Sequence, residues 1–290
     1  MRVRIASNCS ARVGSFRVHG RHLRPDSQPV GSVVLVHGMV VAGTGMLPLA
    51  RELAARRFEV HLPDLPGFGR SDKPRRALDV DGLADAVVGW ISACGLEGSS
   101  VLGNSFGTQV AAAAVERMGE KTGPLALLSP TIDERFRHGW TRILPPGRPG
   151  GPPAGGMLGW VQRRASELLV VPDDRSDDVS LRRLVISEHL AAGPARALST
   201  YRHALRDDLS ERLPRLRTPV LVLRAENDRL VSREWAASLA RLAHAPYAEV
   251  PGVDHDAQFR RPEAVADSII DHLVGAAALS GSRVSGSRVS

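Results

Sequence analysis

The chain has 290 residues, 43% of them hydrophobic, which is enough for one large domain or two small ones and excludes a disordered polymer. The formal charge is +7, but of the 38 basic residues only Lys73 and Lys121 are lysines. Such an arginine excess, spread along the chain among 31 acidic residues, reads as codon bias rather than a phosphate-tracking patch, so no nucleic acid partner is expected.

Aromatic residues make up only 4% of the chain, so the core must be built mainly from Ala, Val and Leu. No run approaches the roughly 20 apolar residues of a membrane span, and residues 1 to 7 lack the apolar stretch of a secretory signal. A soluble cytoplasmic protein with no membrane partner is therefore expected. Two cysteines, Cys9 and Cys94, are too few for a disulfide scaffold and do not form a C-x-x-C pair, which fits a reduced setting.

Short apolar runs alternate with segments of helical period, the pattern of a mostly parallel sheet covered by helices. In chain order, a strand is predicted over 32–36, a helix over 47–57, and a strand over 58–62 that leads into the turn-rich 63–69. A helix follows over 80–94, then a strand over 99–103, a helix over 106–118 and a strand over 125–128. The alternation breaks at about residue 131, and the Pro/Gly-rich 145–156 cannot be regular structure. Two amphipathic, helix-like segments come next, over 158–170 and 181–209. The alternation then resumes with a strand at 219–223, a helix at 233–242, a strand at 247–250 and a helix at 262–274. The expected organisation is an α/β core of residues 1–130 and 218–275, a helical cap inserted over 131–217, and a disordered low-complexity tail over 276–290.

Gly103-Asn104-Ser105-Phe106-Gly107 matches G-x-S-x-G, a weak signal alone but a stronger one where a predicted strand must turn directly into a helix. That setting holds a serine hydroxyl exposed in a strained turn, with small residues on both sides so that strand and helix can approach. A serine needs a base oriented by a carboxylate, and donors for the oxyanion. Asp228 follows the strand at 219–223, and His255 follows the strand at 247–250, both at the carboxyl edge where open α/β sheets bind ligands. The oxyanion donors would be the backbone N–H groups of Phe106, after the serine, and Met39, after the first buried strand.

With these residues in place the chain resembles the α/β-hydrolase-fold serine hydrolases that carry a helical cap. His37-Gly38, the run from Pro63 to Asp72, Gly103 to Gly107, Asp228 and His255 stand in that family's order and spacing, over residues 16 to 275 apart from the cap. The style is that of lidded esterases, lactonases and meta-cleavage-product C–C hydrolases. Haloalkane dehalogenases and epoxide hydrolases resemble the chain elsewhere but carry Asp at the nucleophile. The chain departs from the C–C hydrolases at Asp256, where they usually carry Trp, and its cap shows no clear counterpart of their carboxylate-gripping arginine.

Each residue also has a structural reading. Ser105 could be a helix N-cap, Asp228 could cap the helix after it, and His255 could be a loop residue. Asp133 is an alternative acid, Glu226 a supporting or solvated residue, and His37 a shaper of the oxyanion loop. Asp64 and Asp72 are expected to brace their loop through Asx-type hydrogen bonds. His138, His189 and His203 lack metal-ligand spacing, so no metal and no cofactor is expected. Trp140, Leu158 and Trp160 either line a substrate pocket or pack the cap onto the core. The expected function is a serine hydrolase cleaving an ester, lactone or C–C bond of a small, mostly hydrophobic substrate, as a monomer or homodimer. The alternatives are an acyltransferase or cyclase on the same scaffold, or a ligand-binding protein without turnover.

Overall fold

The computed structural model describes residues 5–39, 42–133 and 193–284. Its elements are β1 (Ile5–Val13), β2 (Phe16–Leu23), β3 (Gly31–Val36), α1 (Leu47–Ala55), β4 (Phe58–Pro63), α2 (Val80–Ala93), β5 (Ser100–Asn104), α3 (Gly107–Met118) and β6 (Leu125–Leu128). After the break come α4 (Pro194–Arg206), α5 (Leu209–Arg212), β7 (Val220–Ala225), α6 (Arg233–Leu242), β8 (Tyr247–Val250), α7 (Ala257–Arg260) and α8 (Pro262–Val284). The strands form one eight-stranded sheet in the order β1-β2-β4-β3-β5-β6-β7-β8. β1 and β2 pair antiparallel with each other and β2 with β4, while β3 through β8 are joined by parallel pairing.

Both faces of this sheet are covered, which is why the central strands are apolar on consecutive residues rather than on alternate ones. Val34, Val36, Val101, Leu127 and Val222 face one core, shared with Trp90 of α2, Val110 of α3 and Trp235 of α6. Val33, Leu35, Leu102, Ala126, Leu128 and Leu223 face the other, against Leu49 and Leu53 of α1 and Ile269 of α8. β3 has β4 on one side and β5 on the other, so the chain winds outward in both directions from it. The carboxyl ends of β3 and β5 therefore mark the switch point at which open α/β sheets bind ligands.

The first two strands escape a search for apolar runs. β1 is the edge strand and β2 lies between it and β4, and the polar residues of β2 find partners only in the fold: Arg21 donates from Nη1 to Asp64 Oδ1 at 2.7 Å, and the His19 backbone N–H donates to Ser71 Oγ at 2.9 Å. The helical stretch expected over 181–209 begins, within the described residues, at Pro194 after Gly193 at φ +82°, and it ends at Arg206. Asp208 then caps the short α5 by accepting from Ser210 N–H at 3.0 Å. Ala204, Leu209 and Leu213 are buried in the core shared with α3, so the stretch that leads into β7 is anchored on the sheet. The tail reading needs correction, because α8 continues through residues 276–284 to Val284. Its alanine-rich sequence prolongs a helix already nucleated by packing. The remaining cap assignments, including Trp140, Leu158 and Trp160, lie outside the described residues. Among the described residues no helix is long and apolar enough to cross a membrane.

The turn after β4 is built around one carboxylate. Asp64, fully buried, accepts from Arg21 Nη1 and from Gly43 N–H (2.9 Å) on Oδ1, and from Arg70 N–H (3.0 Å) on Oδ2. Ser71 Oγ donates to the Asp64 carbonyl at 2.5 Å, so Asp64 braces its own loop, whereas the Asp72 side chain accepts from Arg17 N–H at 2.8 Å and ties that loop to β2 instead of making the local Asx-type bond expected from sequence. Asp64→Ala leaves the Arg21 guanidinium buried without its counter-charge. It is expected to lower stability by about 3–5 kcal/mol, read as a shift in the chemical denaturation midpoint.

Candidate active site

The turn from β5 into α3 holds Ser105 at φ +54°, a left-handed conformation that a serine adopts only where its surroundings impose it. The close approach of strand and helix explains the flanking glycines. A Cβ on Gly103 would lie 2.4 Å from the carbonyl oxygen of Gly107, and one on Gly107 would lie 2.3 Å from that of Val36. The turn is locked by the Ser105 N–H donating to the Leu128 carbonyl (2.9 Å) and by Thr108 N–H donating to the Ser105 carbonyl (3.0 Å). The N-cap position of α3 is held by Phe106 rather than Ser105, which leaves the serine hydroxyl to other partners.

That hydroxyl meets His255. Ser105 Oγ lies 2.9 Å from His255 Nε2, and His255 Nδ1 lies 2.8 Å from Asp228 Oδ2. With Nδ1–H donating to the carboxylate, Nε2 is the acceptor for the serine proton, an assignment that follows from the hydrogen-bond pattern. Asp228 is itself held in place, Oδ1 accepting from Leu230 N–H (2.8 Å) and Val231 N–H (3.0 Å). Burial raises the Asp228 pKa, but the His255 charge and hydrogen bond, with hydrogen bonds from Ser129 and Val231, bring it below its ordinary value. Burial likewise lowers that of His255, but the Asp228 carboxylate and the charge of Asp256 carry it above the ordinary histidine value.

The three sequence-predicted residues are thus brought together from loops after three different strands. Asp133, the alternative acid, instead accepts from the N–H (3.1 Å) and hydroxyl (2.5 Å) of Ser232, where α6 begins. On the oxyanion side, a Cβ on Gly38 would lie 3.3 Å from Ser105 Cβ, so the loop that carries Met39 borders the serine. Phe106 is buried at the N-cap of α3. His37 is fully buried and neutral in its bonding: Nδ1–H donates to the Gly38 carbonyl (2.7 Å) while Nε2 accepts from Leu65 N–H (2.9 Å). Burial lowers its pKa, consistent with a loop-shaping role.

Of the residues that hold the acid and base loops, sequence reasoning named Glu226 as a supporting or solvated residue and missed Arg224 and Gln258. Arg224, buried at the end of β7, donates to the carbonyls of Val231 (2.7 Å), Asp228 (2.9 Å) and Glu226 (2.9 Å) and to Glu249 Oε1 (2.9 Å). Glu226 accepts from Gly252 N–H at 2.6 Å, tying the Asp228 loop to the His255 loop, and Asn104 Nδ2 donates to Gln258 Oε1 at 3.1 Å, tying that loop to the serine turn. An arginine ending a strand among apolar residues was the available signal. Elsewhere, His22, Glu59 and His61 lie together on β2 and β4, the one such His/Glu group among the described residues. Their imidazoles stack with centroids 4.5 Å apart and planes 12° apart. Rings so nearly parallel direct their in-plane lone pairs along separate planes, which does not suit chelation of one ion.

Comparison with known proteins agrees with this architecture. The model of the alpha/beta hydrolase family matches residues 33–268. The polyketide synthase ThaQ of Burkholderia thailandensis is 30% identical over 249 residues, which is 83% of this chain but 12% of that much longer protein. Among solved structures, the 2-hydroxy-6-oxo-6-phenylhexa-2,4-dienoate hydrolase of Rhodococcus sp. strain RHA1 shares the fold with a TM-score of 0.70 and 22% identity, over 93% of this chain and 99% of that one. The enol-lactonase from Burkholderia xenovorans LB400 does so with a TM-score of 0.69 and 20% identity, over 91% and 99%. With the family model spanning most of its length and the same sheet order carrying the serine turn, the chain belongs to the alpha/beta hydrolase family.

Proposed function

We propose that this chain is a serine hydrolase whose nucleophile is Ser105, whose general base is His255 and whose orienting acid is Asp228. The observation that carries the reading is His255, bonded through Nε2 to Ser105 Oγ at 2.9 Å and through Nδ1 to Asp228 at 2.8 Å. Ser105 Oγ attacks a substrate carbonyl as its proton passes to His255 Nε2, and Asp228 stabilises the imidazolium that forms. The backbone N–H groups of Phe106 and Met39 receive the oxyanion, helped by the positive end of the α3 dipole. His255 protonates the leaving group, then takes a proton from the water that releases the acyl group. Every proton in the cycle is held by these side chains, the substrate or water, and no step calls for a cofactor.

The substrate class that fits is a small, mostly hydrophobic ester or lactone. Asp256, in place of the Trp usual in C–C hydrolases, argues against a C–C bond, because it adds negative charge beside His255. A second reading, acyl transfer or cyclisation from a thioester, is favoured by the similarity to a polyketide synthase over 83% of this chain. Parallel assays of esters, lactones, thioesters and vinylogous diketones, with and without an added nucleophile, separate the two by their products.

Ser105→Ala is expected to cut kcat on short p-nitrophenyl esters by about 10⁴–10⁶ and to abolish labelling by a fluorophosphonate. Unchanged hydrolysis or labelling would remove Ser105 as nucleophile. Asp228→Asn leaves the fold intact but loses the acceptor for His255 Nδ1–H, for an expected loss of about 10⁴ in kcat. The base must be neutral to act, so activity falls as pH drops through the raised pKa of His255. Asp256→Asn removes one cause of that elevation and is expected to move the acid limb of kcat/KM to lower pH; a limb that stays or moves upward contradicts this.

A further inference from the structure

The chain contains two cysteines, and the fold brings them together although 85 positions separate them. β1 is an edge strand whose sole sheet neighbour is β2. Its inward residues Cys9, Ala11 and Val13 pack on the core beneath α2, with Val13 so close to Gly89 that a Cβ there would lie 2.3 Å from Val13 Cγ1. This two-residue alternation aims Cys9 at the end of α2, where Cys94 is the C-cap residue. The two Sγ atoms lie 2.6 Å apart in a half-buried setting.

We propose that Cys9 and Cys94 form a disulfide that staples the N-terminal edge strand to α2. The three small side chains of β1 bury little apolar surface, so an edge strand held by one neighbour gains from a covalent tie across a long loop. The oxidant is a low-molecular-weight disulfide such as oxidised glutathione. A thiolate of the pair attacks one of its sulfurs and expels one glutathione thiol, leaving a mixed disulfide. The second cysteine sulfur then attacks the protein sulfur of that bond and expels the other glutathione. The Cys9–Cys94 bond forms, the glutathione disulfide is reduced, and both cysteine protons end on the two released thiols. Cys94 precedes the start of β5 whereas Ser105 follows its end, so the staple sits at the edge of the sheet opposite the serine turn.

The test treats the full chain with oxidised glutathione, alkylates it under denaturing conditions and weighs it intact beside a phosphine-reduced sample. The expected product is lighter than the reduced chain by two hydrogens, takes no alkyl group and yields a Cys9 peptide linked to the Cys94 peptide on digestion. Its Tm is expected to exceed that of the reduced chain by roughly 5–10 °C, a difference that Cys9→Ser and Cys94→Ala each eliminate. Two alkylated thiols after oxidation, a stable glutathione adduct, a dimer linked between chains, or equal Tm values for oxidised and reduced wild type would each overturn the proposal. Because the wild-type chain is compared with itself in two redox states, the result does not depend on how well either variant folds.

Discussion

The left-handed backbone of Ser105 is the constraint around which the site is arranged. Such a conformation costs on the order of 1–3 kcal/mol for a residue with a Cβ, and here it is offset by hydrogen bonds that fix the turn on both sides, from Ser105 N–H to β6 and from Thr108 to the Ser105 carbonyl. The strain is also what the chemistry uses. A sharp turn between β5 and α3 leaves the hydroxyl projecting and places the next N–H at the helix start, so the proposed nucleophile and one proposed oxyanion donor come from one structural decision. Gly103 and Gly107 are part of that decision, since a methyl group at either would run into backbone rather than a movable side chain.

The partners of the serine come from the other half of the sheet, and the bonds from Leu230 and Val231 N–H to Asp228 fix the acid within its loop but do not tie that loop to its neighbours. Arg224 supplies the missing order. Its guanidinium spans the loop that carries Asp228 and reaches Glu249 on β8, so every turn of that loop is referred to a strand end. A buried arginine is costly unless its donors are satisfied, and here they go to three carbonyls and a carboxylate. Glu226 and Gln258 extend the same principle, linking the acid loop to the base loop and the base loop to the serine turn. The site is rigid because its three loops are bonded to one another as well as to the sheet.

Two histidines in this region, His37 fully buried and His255 half-buried, show how contact decides ionisation. His37 and His255 both suffer desolvation that disfavours the imidazolium. His37 spends both ring nitrogens on backbone groups and is held neutral, where it shapes the loop bearing Gly38 and Met39. His255 has a carboxylate against Nδ1, which reverses the effect of burial and suits it to receive a proton from Ser105. Residue type is the same, and the neighbour makes the difference.

Much of this was legible in the residue order. Parallel strands buried on both faces announce themselves as apolar runs, and β6, α6 and β8 begin and end where periodicity and turn residues placed them. The serine turn was legible because its glycines are required by local geometry, and Asp228 and His255 because each stands just past a strand of that kind. β1 and β2 were not, since a strand is free to be polar when its partners, such as Asp64 and Ser71 for β2, lie more than 40 residues away. Nor could spacing reveal Arg224 as the brace of the acid loop, or bring Cys9 to Cys94. Those facts depend on which strands become neighbours. Sequence determines local backbone preferences and burial patterns directly, because they arise within a few residues; the pairing of distant polar groups is decided only when the sheet closes, because it is then that their desolvation must be compensated.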